Sequence, residues 1–415
     1  MTLFSVVMPT RNRGHLLRYA LQSALEQTFE DYEIVVIDNC SSDETPQVVE
    51  NLAGDKVRYF RTDRALAMPD NWEFALNKAR GEYITYLCDD DAFNPNVLAE
   101  VAGLIEQRGS HVLSWTHATY FSETHPVARW RNQLAIPACT GQIEEVDNGY
   151  ALRELFALRG DPAKLPRMLN SCCHRSVIEK VRSQMGRFFL PPNPDTTCCA
   201  EVLAASRSHT YIDKALLIWG AHGESTGVSS AHSRGAATQT FVKEFGQDHV
   251  FECAPIGALT ITNSIAESLL RVKRAMPELF AGCDIDWVKY FTDCYFELTS
   301  LSVDAPAIAA ERRELKLALT QRPVGFRARV WMAYLRRASL RGAFRWGGAL
   351  GRSVPLVRHF GRALQQGKTG TRIIRGEDWG FQSILDCRRL LSMSKRTFIS
   401  SSTSGSGGIR SHSSA

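Results

Sequence analysis

Three consecutive carboxylates, Asp89, Asp90 and Asp91, follow the apolar run Tyr83 to Leu87 and precede a turn at Pro95. Adjacent carboxylates at a strand end repel one another unless a cation sits among them. Hard oxygen donors of this kind suit Mg²⁺ or Mn²⁺ shared with substrate phosphates. A solvated acidic turn would explain the triplet equally well if it stood by itself. It does not: Thr10, Arg11 and Arg13 follow the apolar run Phe4 to Met8, and Asp38 follows Tyr32 to Ile37. Further along, Asp195 comes directly after Pro191, Pro192 and Pro194, where a helix is expected to begin, and His222 lies in the Gly-rich stretch Gly220 to Ser225. An N-cap would account for Asp195 without chemistry, and His222 could be an incidental loop residue.

The elements that position these residues alternate at short intervals. Residues 4–8, 32–37, 57–60 and 83–87 read as strands. Leu17, Leu21, Ala24 and Leu25 recur at helical spacing, Thr45 is expected to cap a helix opening with Pro46, and Asn71 to Ala79 reads as a third helix. A helix to about Gln107, a strand from His111, a sheet extension over 142–146, and a helix capped by Asp147 or Asn148 and ending near Arg159 follow. Met168 to Val177 carries mixed signals, and Tyr211 to Trp219 reads as a strand pair or hairpin. Strands apolar on both faces, separated by helices, predict an α/β protein with a doubly wound, mostly parallel sheet. A parallel sheet aligns the C-terminal ends of its strands, so the three polar clusters converge on one crevice. That crevice fits a nucleotide, with base and ribose at Asp38 and phosphates on a carboxylate-held metal. No G-x-G-x-x-G follows the first strand, so a dinucleotide fingerprint is absent. Gly361 with Gly367-Lys368-Thr369 has five intervening residues where a P-loop has four, and no strand precedes it.

SVVMPTRNR, EIVVIDNCSSDET and GEYITYLCDDD, in this order and at this spacing, resemble the three opening motifs of the family-2 glycosyltransferases. The resemblance covers about the first 120 residues and fades to isolated motifs by about residue 230. It implies a GT-A fold and an inverting enzyme that uses a nucleotide-sugar donor, with uracil the expected base. On the matching positions it implies that Pro9, Thr10, Arg11, Arg13, Asp38 and Asn71 serve the donor, with Arg61 or Arg64 on the base or diphosphate. It sets Asp89 and Asp90 near the ribose and Asp89 and Asp91 on the metal, joined by His222. Cys88 stands where many members carry an aspartate, which leaves the working pair of aspartates open. The family's general base is an acidic residue at a helix start about a hundred residues later. Asp195 is the best-placed residue for that part and Glu201 the second. A nucleotidyltransferase is the nearest alternative enzyme, although PTRNRG is a poor substitute for its glycine-rich loop.

The 415 residues allow more than one domain, and no run of about 18 apolar residues exists to span a bilayer. Without a signal-like leader, the eleven cysteines are expected as reduced thiols in a cytosol, and the pairs Cys172–Cys173 and Cys198–Cys199 as packing residues. Net charge is +5, yet residues 312–396 carry 20 Lys+Arg against 4 Asp+Glu, so the remainder of the chain is acidic. The expected layout is a GT-A domain over 1–230, a helical region over 231–320, a basic amphipathic helical segment over 321–396 and a disordered tail over 397–415. In the basic segment Trp331, Leu335, Leu340, Phe344 and Trp346 alternate with arginines, which suits an anionic membrane surface. The expected location is therefore cytoplasmic, peripheral on the inner face of a membrane, with a glycan or lipid-linked acceptor as the second substrate. No nucleic-acid partner is expected, although the same composition could serve a non-catalytic module that binds nucleic acid or membrane.

Overall fold

Strands β1 (Phe4–Thr10), β2 (Tyr32–Asp38), β3 (Val57–Arg61) and β4 (Tyr83–Tyr86) lie in the order β3-β2-β1-β4, all parallel. They come from a computed structural model that describes residues 2–233, 236–245, 250–300, 306–350 and 370–391. β1 and β2 are buried at every position, as a strand covered on both faces must be. Alternation sends Phe4, Val6, Met8, Ile34 and Val36 to one face, and Val7, Val35, Ile37, Ile84 and Tyr86 to the other. The crossover helices α1 (Gly14–Leu25) and α2 (Thr45–Leu52) pack on the first face and α3 (Met68–Leu76) on the second. The expected doubly wound sheet is thus present.

Beyond β4 the sheet becomes mixed, although its longest pairings remain parallel. Next in the chain are β5 (Ala92–Phe93), α4 (Val97–Arg108), β6 (Val112–Phe121), β7 (Gln133–Ile136), β8 (Ile143–Asp147), α5 (Asn148–Phe156), β9 (Ser171–His174), α6 (Arg175–Met185), α7 (Pro194–Ala205) and β10 (Ser208–Ala221). β9 slides between β4 and β6, antiparallel to both, while β10 runs parallel to β6 and antiparallel to β5 and β8. Asp147 caps α5, its carboxylate accepting from the Tyr150 N–H. Cys172, Cys173, Cys198 and Cys199 are buried packing residues, and all eleven cysteines are free thiols.

Several local expectations shift. Thr45 lies inside α2 and does not cap it; the Asp43 carboxylate instead receives the Thr45 N–H (3.1 Å) and hydroxyl (2.6 Å). α3 starts at Met68, not Asn71, because Pro69 fits its first turn. α5 stops at Phe156, short of Arg159. The expected hairpin over 211–219 is one 14-residue strand, bent by register shifts between Ile212 and Leu217 and without a tight turn.

The C-terminal half is helical: α8 (Thr226–Val228), α9 (Ala236–Phe245), α10 (Ile261–Ala275), α11 (Trp287–Ser300), α12 (Pro306–Thr320) and α13 (Val324–Leu350). Leu269, Phe280, Tyr290, Phe291, Leu298 and Val330 share a core with Leu152, Phe156 and Leu203 of α5 and α7. The basic segment is not one continuous amphipathic helix. Its later part returns to the sheet as β11 (Arg372–Arg375), α14 (Gly376–Trp379) and α15 (Ile384–Leu391). β11 adds antiparallel to β7, and Ile384, Cys387 and Leu390 pack on Tyr120, Leu134 and Ile218. The Gly361 to Thr369 stretch and the tail over 397–415 lie outside the described residues.

Candidate active site

Thr10 and Asp38 are register partners at the ends of β1 and β2, and β4 ends beside them. Asp89, Asp90 and Asp91 follow β4 in a tight turn closed by the Asp91 N–H on the Cys88 carbonyl (3.2 Å). All three are more than nine-tenths buried, so a solvated acidic turn is ruled out. Asp89 is saturated: the Thr10 hydroxyl donates to one oxygen (2.8 Å) and the Arg13 guanidinium to the other (3.0 Å). Burial pushes the Asp89 carboxyl up, and Arg13 opposes that shift while Asp90 reinforces it. Arg13 lies 3.7 Å from Asp90 and also donates to the Glu224 carbonyl. Asp90 accepts from the Ser225 hydroxyl.

Asp91 is different. One oxygen takes the Gly220 N–H at 2.8 Å; the other is buried without a partner. Burial first, and then repulsion by Asp90, push its carboxyl well above the ordinary carboxylate range. Such a group needs either a proton or a cation. Donor atoms of Cys88, Asp90 and Asp91 lie within 4.8 Å of one another, a set with room for one divalent ion. Asp89 and His222, expected as ligands, are not in that set: Asp89 is turned to Thr10 and Arg13. His222 is buried beside the triplet with its Nε2 unpartnered, and burial holds its pKa below the usual histidine range. Two residues before His222 stands Gly220. A Cβ on Gly220 would lie 1.7 Å from the Asp90 carbonyl oxygen, so only glycine lets β10 approach the acidic turn.

The remaining expected residues scatter around this centre. Pro9 is buried in β1. Arg11 pairs with Glu244 of α9. Asp38 has no exposed surface; its oxygens accept from the Ser41 N–H (2.8 Å) and the Tyr59 hydroxyl (2.6 Å), with Arg61 at 3.8 Å. Recognition of a base at Asp38 therefore requires Tyr59 to move. Arg61 donates to the Ser41 carbonyl (2.7 Å), and Arg64 is exposed on the loop after β3. Asn71 is buried with its Oδ1 unpartnered. Asp195 occupies the first turn of α7, but Asn193 flanks the helix and the Asp195 carboxylate receives only the Thr196 hydroxyl, at 3.4 Å. It is half-buried and caps nothing. Glu201 is sealed inside, 1% exposed, on the side of α7 that senses Glu73 and Arg187.

Sequence reasoning missed Gly220, Ser225, Tyr59 and Arg167. Gly220 and Ser225 frame the Gly-rich stretch around His222 and could have been read from it. Arg167 had no signal, because it precedes the stretch whose pattern is ambiguous.

A doubly wound sheet with a buried acidic turn at the C-terminal strand edge defines a nucleotide-type α/β site. Residues 5–155 match the sequence profile of Glycosyl transferase family 2. Over 115 residues the chain is 37% identical to the GalNAc(5)-diNAcBac-PP-undecaprenol beta-1,3-glucosyltransferase of Campylobacter jejuni, covering 27% of this chain and 37% of that protein. It is 35% identical over 119 residues to the poly(ribitol-phosphate) beta-N-acetylglucosaminyltransferase TarS of Staphylococcus aureus, covering 27% of this chain and 20% of that one. The match to the putative colanic acid biosynthesis glycosyl transferase WcaA of Escherichia coli is 31% over 117 residues, 28% of this chain and 42% of that one. Each match thus spans less than half of the relative's length. Among solved structures, S. aureus TarS 1-349 in complex with UDP-GlcNAc aligns over 82% of this chain and 92% of that one, at 19% identity and a TM-score of 0.44. The parallel strands with the acidic turn at their edge are the arrangement expected from the motifs.

Proposed function

We propose that this chain transfers a sugar from a UDP-sugar to a hydroxyl acceptor with inversion, in the synthesis of a polysaccharide or glycolipid. The observation that carries the reading is the unpartnered Asp91 oxygen inside a buried acidic turn at the end of a parallel sheet. The Asp90 and Asp91 carboxylates would hold Mg²⁺ or Mn²⁺, with the softer Cys88 thiol beside them, and the ion when bound would neutralise charge on the leaving diphosphate. Thr10 and Arg13 keep Asp89 turned away from that position and fix the turn. Asp195 takes the proton of the acceptor hydroxyl as its oxygen bonds to the anomeric carbon and the bond to the diphosphate breaks. What favours Asp195 over Glu201 is access: Asp195 is half-buried with a nearly free carboxylate, whereas Glu201 is sealed.

A thermal-shift screen of nucleoside diphosphates with and without Mn²⁺ tests the donor half. UDP at about a hundred times its Kd is expected to stabilise the fold by roughly 2.7 kcal/mol, with Mn²⁺ required and Asp91→Asn unresponsive. Asp195→Asn is expected to keep UDP binding and lose transfer. UDP binding indifferent to both metal and Asp91→Asn would sink the reading, and release of pyrophosphate in place of UDP would favour a nucleotidyltransferase.

A membrane surface is the proposed location of the acceptor. No described helix is long and apolar enough to cross a membrane. On α13, however, Val330 faces the helical core while Val324, Trp331, Met332 and Leu335 are exposed along the opposite stripe, beside Arg327, Arg329 and Arg336. Apolar side chains flanked by arginines suit the headgroup layer of an anionic bilayer. Sedimentation with phosphatidylglycerol vesicles, but not with phosphatidylcholine vesicles, is expected, and Trp331→Ala with Leu335→Ala should release the protein. Equal sedimentation of that double variant would refute the contact.

A further inference from the structure

Beside the acidic turn, β6 and β10 treat their two faces differently. Ala118, Tyr120 and Ile218 pack beneath α15, whereas His117 and Thr119, at alternate positions, are half-buried and Trp219 is 40% exposed. Trp219 immediately precedes Gly220, whose N–H holds Asp91, so an open indole stands next to the proposed donor site. The His117 ring meets it edge-on at 5.1 Å, and the Arg167 guanidinium lies over it at 5.6 Å.

Arg167 is the unusual member. Its side chain has no carboxylate within ion-pair distance among the described residues, and its Nε is buried without a partner. A guanidinium lying over an indole, partly desolvated and with no ion-pair partner among the described residues, is prepared for an anion, which its planar fork binds through charge-assisted hydrogen bonds. The neighbours show where that charge acts. On one side Trp219 adjoins Gly220 and the acidic turn; on the other, Leu165, two residues before Arg167, shares a core with Cys199 of α7, one turn beyond Asp195. His117, pushed down to about 4 by burial and then by Arg167, is uncharged at neutral pH and leaves Arg167 the local cation. A group that spans the acidic turn and the helix of the proposed base occupies the ground an acceptor must cross. On the proposed reading the donor diphosphate is served by the ion of the acidic turn, which leaves Arg167 for a different anion.

Resting on the glycosyl-transfer reading, we propose that Trp219, Arg167 and His117 form the acceptor subsite, and that the acceptor is an anionic sugar. The apolar C–H face of its ring lies on the open indole, and its phosphate or carboxylate is held by Arg167. The two anions share this chemistry, and their source is distinguished by experiment.

The full-length protein, saturated with UDP and Mn²⁺, is titrated with glucose, glucose 1-phosphate and glucuronic acid, with binding followed by saturation-transfer NMR. A charged sugar is expected to bind about tenfold or more tighter than glucose, as charge-assisted hydrogen bonds allow. Preference for the phosphate or for the carboxylate identifies the acceptor's anion. Arg167→Ala should abolish the preference and Arg167→Lys restore part of it. Trp219→Ala should weaken all three sugars, and UDP affinity should not change in any variant. Equal binding of the three sugars by the wild type overturns the proposal. So does a loss of UDP affinity in Arg167→Ala with the preference intact, since Arg167 would then serve the donor. If no form binds UDP, yet a charged-sugar preference exists and disappears in Arg167→Ala, the donor reading fails and the subsite stands.

Discussion

Exchanging Glu201 for glutamine is expected to stabilise the protein at neutral pH, against the usual direction for a change inside a core. Glu201 is 1% exposed on α7, and neither of its oxygens has a hydrogen-bond partner. Burial raises its pKa well above the ordinary range, repulsion by Glu73 adds to this, and Arg187 opposes it. In the unfolded chain a glutamate releases its proton near pH 4.3. Between that value and the higher folded one, the unfolded state ionises while the fold holds the proton. Stability is therefore fully present below the unfolded pKa and falls as pH rises, by up to about 1.4 kcal/mol per unit, until the folded pKa is passed. Glutamine does not titrate, so the variant should match the wild type near pH 4.5 and exceed it by roughly 1–3 kcal/mol at pH 7. Urea unfolding midpoints of both proteins at half-unit steps from pH 5 to 8 measure the difference. Because Glu201 is not the proposed base, sugar transfer should persist in the variant. The reasoning fails if Glu201→Gln is less stable than the wild type at pH 7 by about 3 kcal/mol or more, the cost of breaking a buried ion pair. Glu201 would then be ionised and held by Arg187, whose Nε is also buried without a partner.

Three further outcomes follow from particular contacts. Gly220→Ala drives a Cβ into the Asp90 carbonyl, so UDP binding in Mn²⁺ should be lost by calorimetry while far-ultraviolet circular dichroism is retained. Cys88 places a thiol among the Asp90 and Asp91 oxygens, so Cd²⁺ should add thiolate charge-transfer absorption that Cys88→Ala removes, while Mn²⁺ binding by calorimetry survives. Arg388 is 7% exposed and bonds Glu26, the residue that ends α1, at 2.6 Å, tying the end of the described chain to the first crossover helix. Arg388→Ala should expose the segment over 370–391 to limited proteolysis at low protease concentration, and an unchanged cleavage pattern would show that the apolar contacts of α15 suffice.

The sheet was legible because its signal is local. Continuous apolar runs such as FSVVM and YEIVVI admit few readings other than strands covered on both faces, and parallel alignment then fixes which polar residues meet. Thr10, Arg13 and the Asp triplet came together for that reason. What the pattern does not carry is direction within a shared shell. Asp89 and Asp91 are two residues apart and chemically identical, yet Thr10 and Arg13 saturate the first while the second keeps an open oxygen. Asp38 is likewise turned inward by Tyr59, which belongs to a neighbouring strand. The return of 370–391 to the sheet was invisible for a different reason. Its arginines gave it the composition of a surface helix, although Ile374, Phe381, Ile384 and Cys387 are buried against β6, β7 and β10.

The same distinction explains why the acceptor side is the harder half to read. Donor groups sit at strand ends, where topology delivers them together. Trp219, His117 and Arg167 come from a bent strand, its parallel neighbour and an irregular loop, and they share no motif spacing. The exposed indole, and a guanidinium with no ion-pair partner among the described residues, mark the place. A buried core explains apolar residues; it does not explain an arginine that lies over an exposed indole with its Nε buried and unbonded, and a ligand that supplies an anion does.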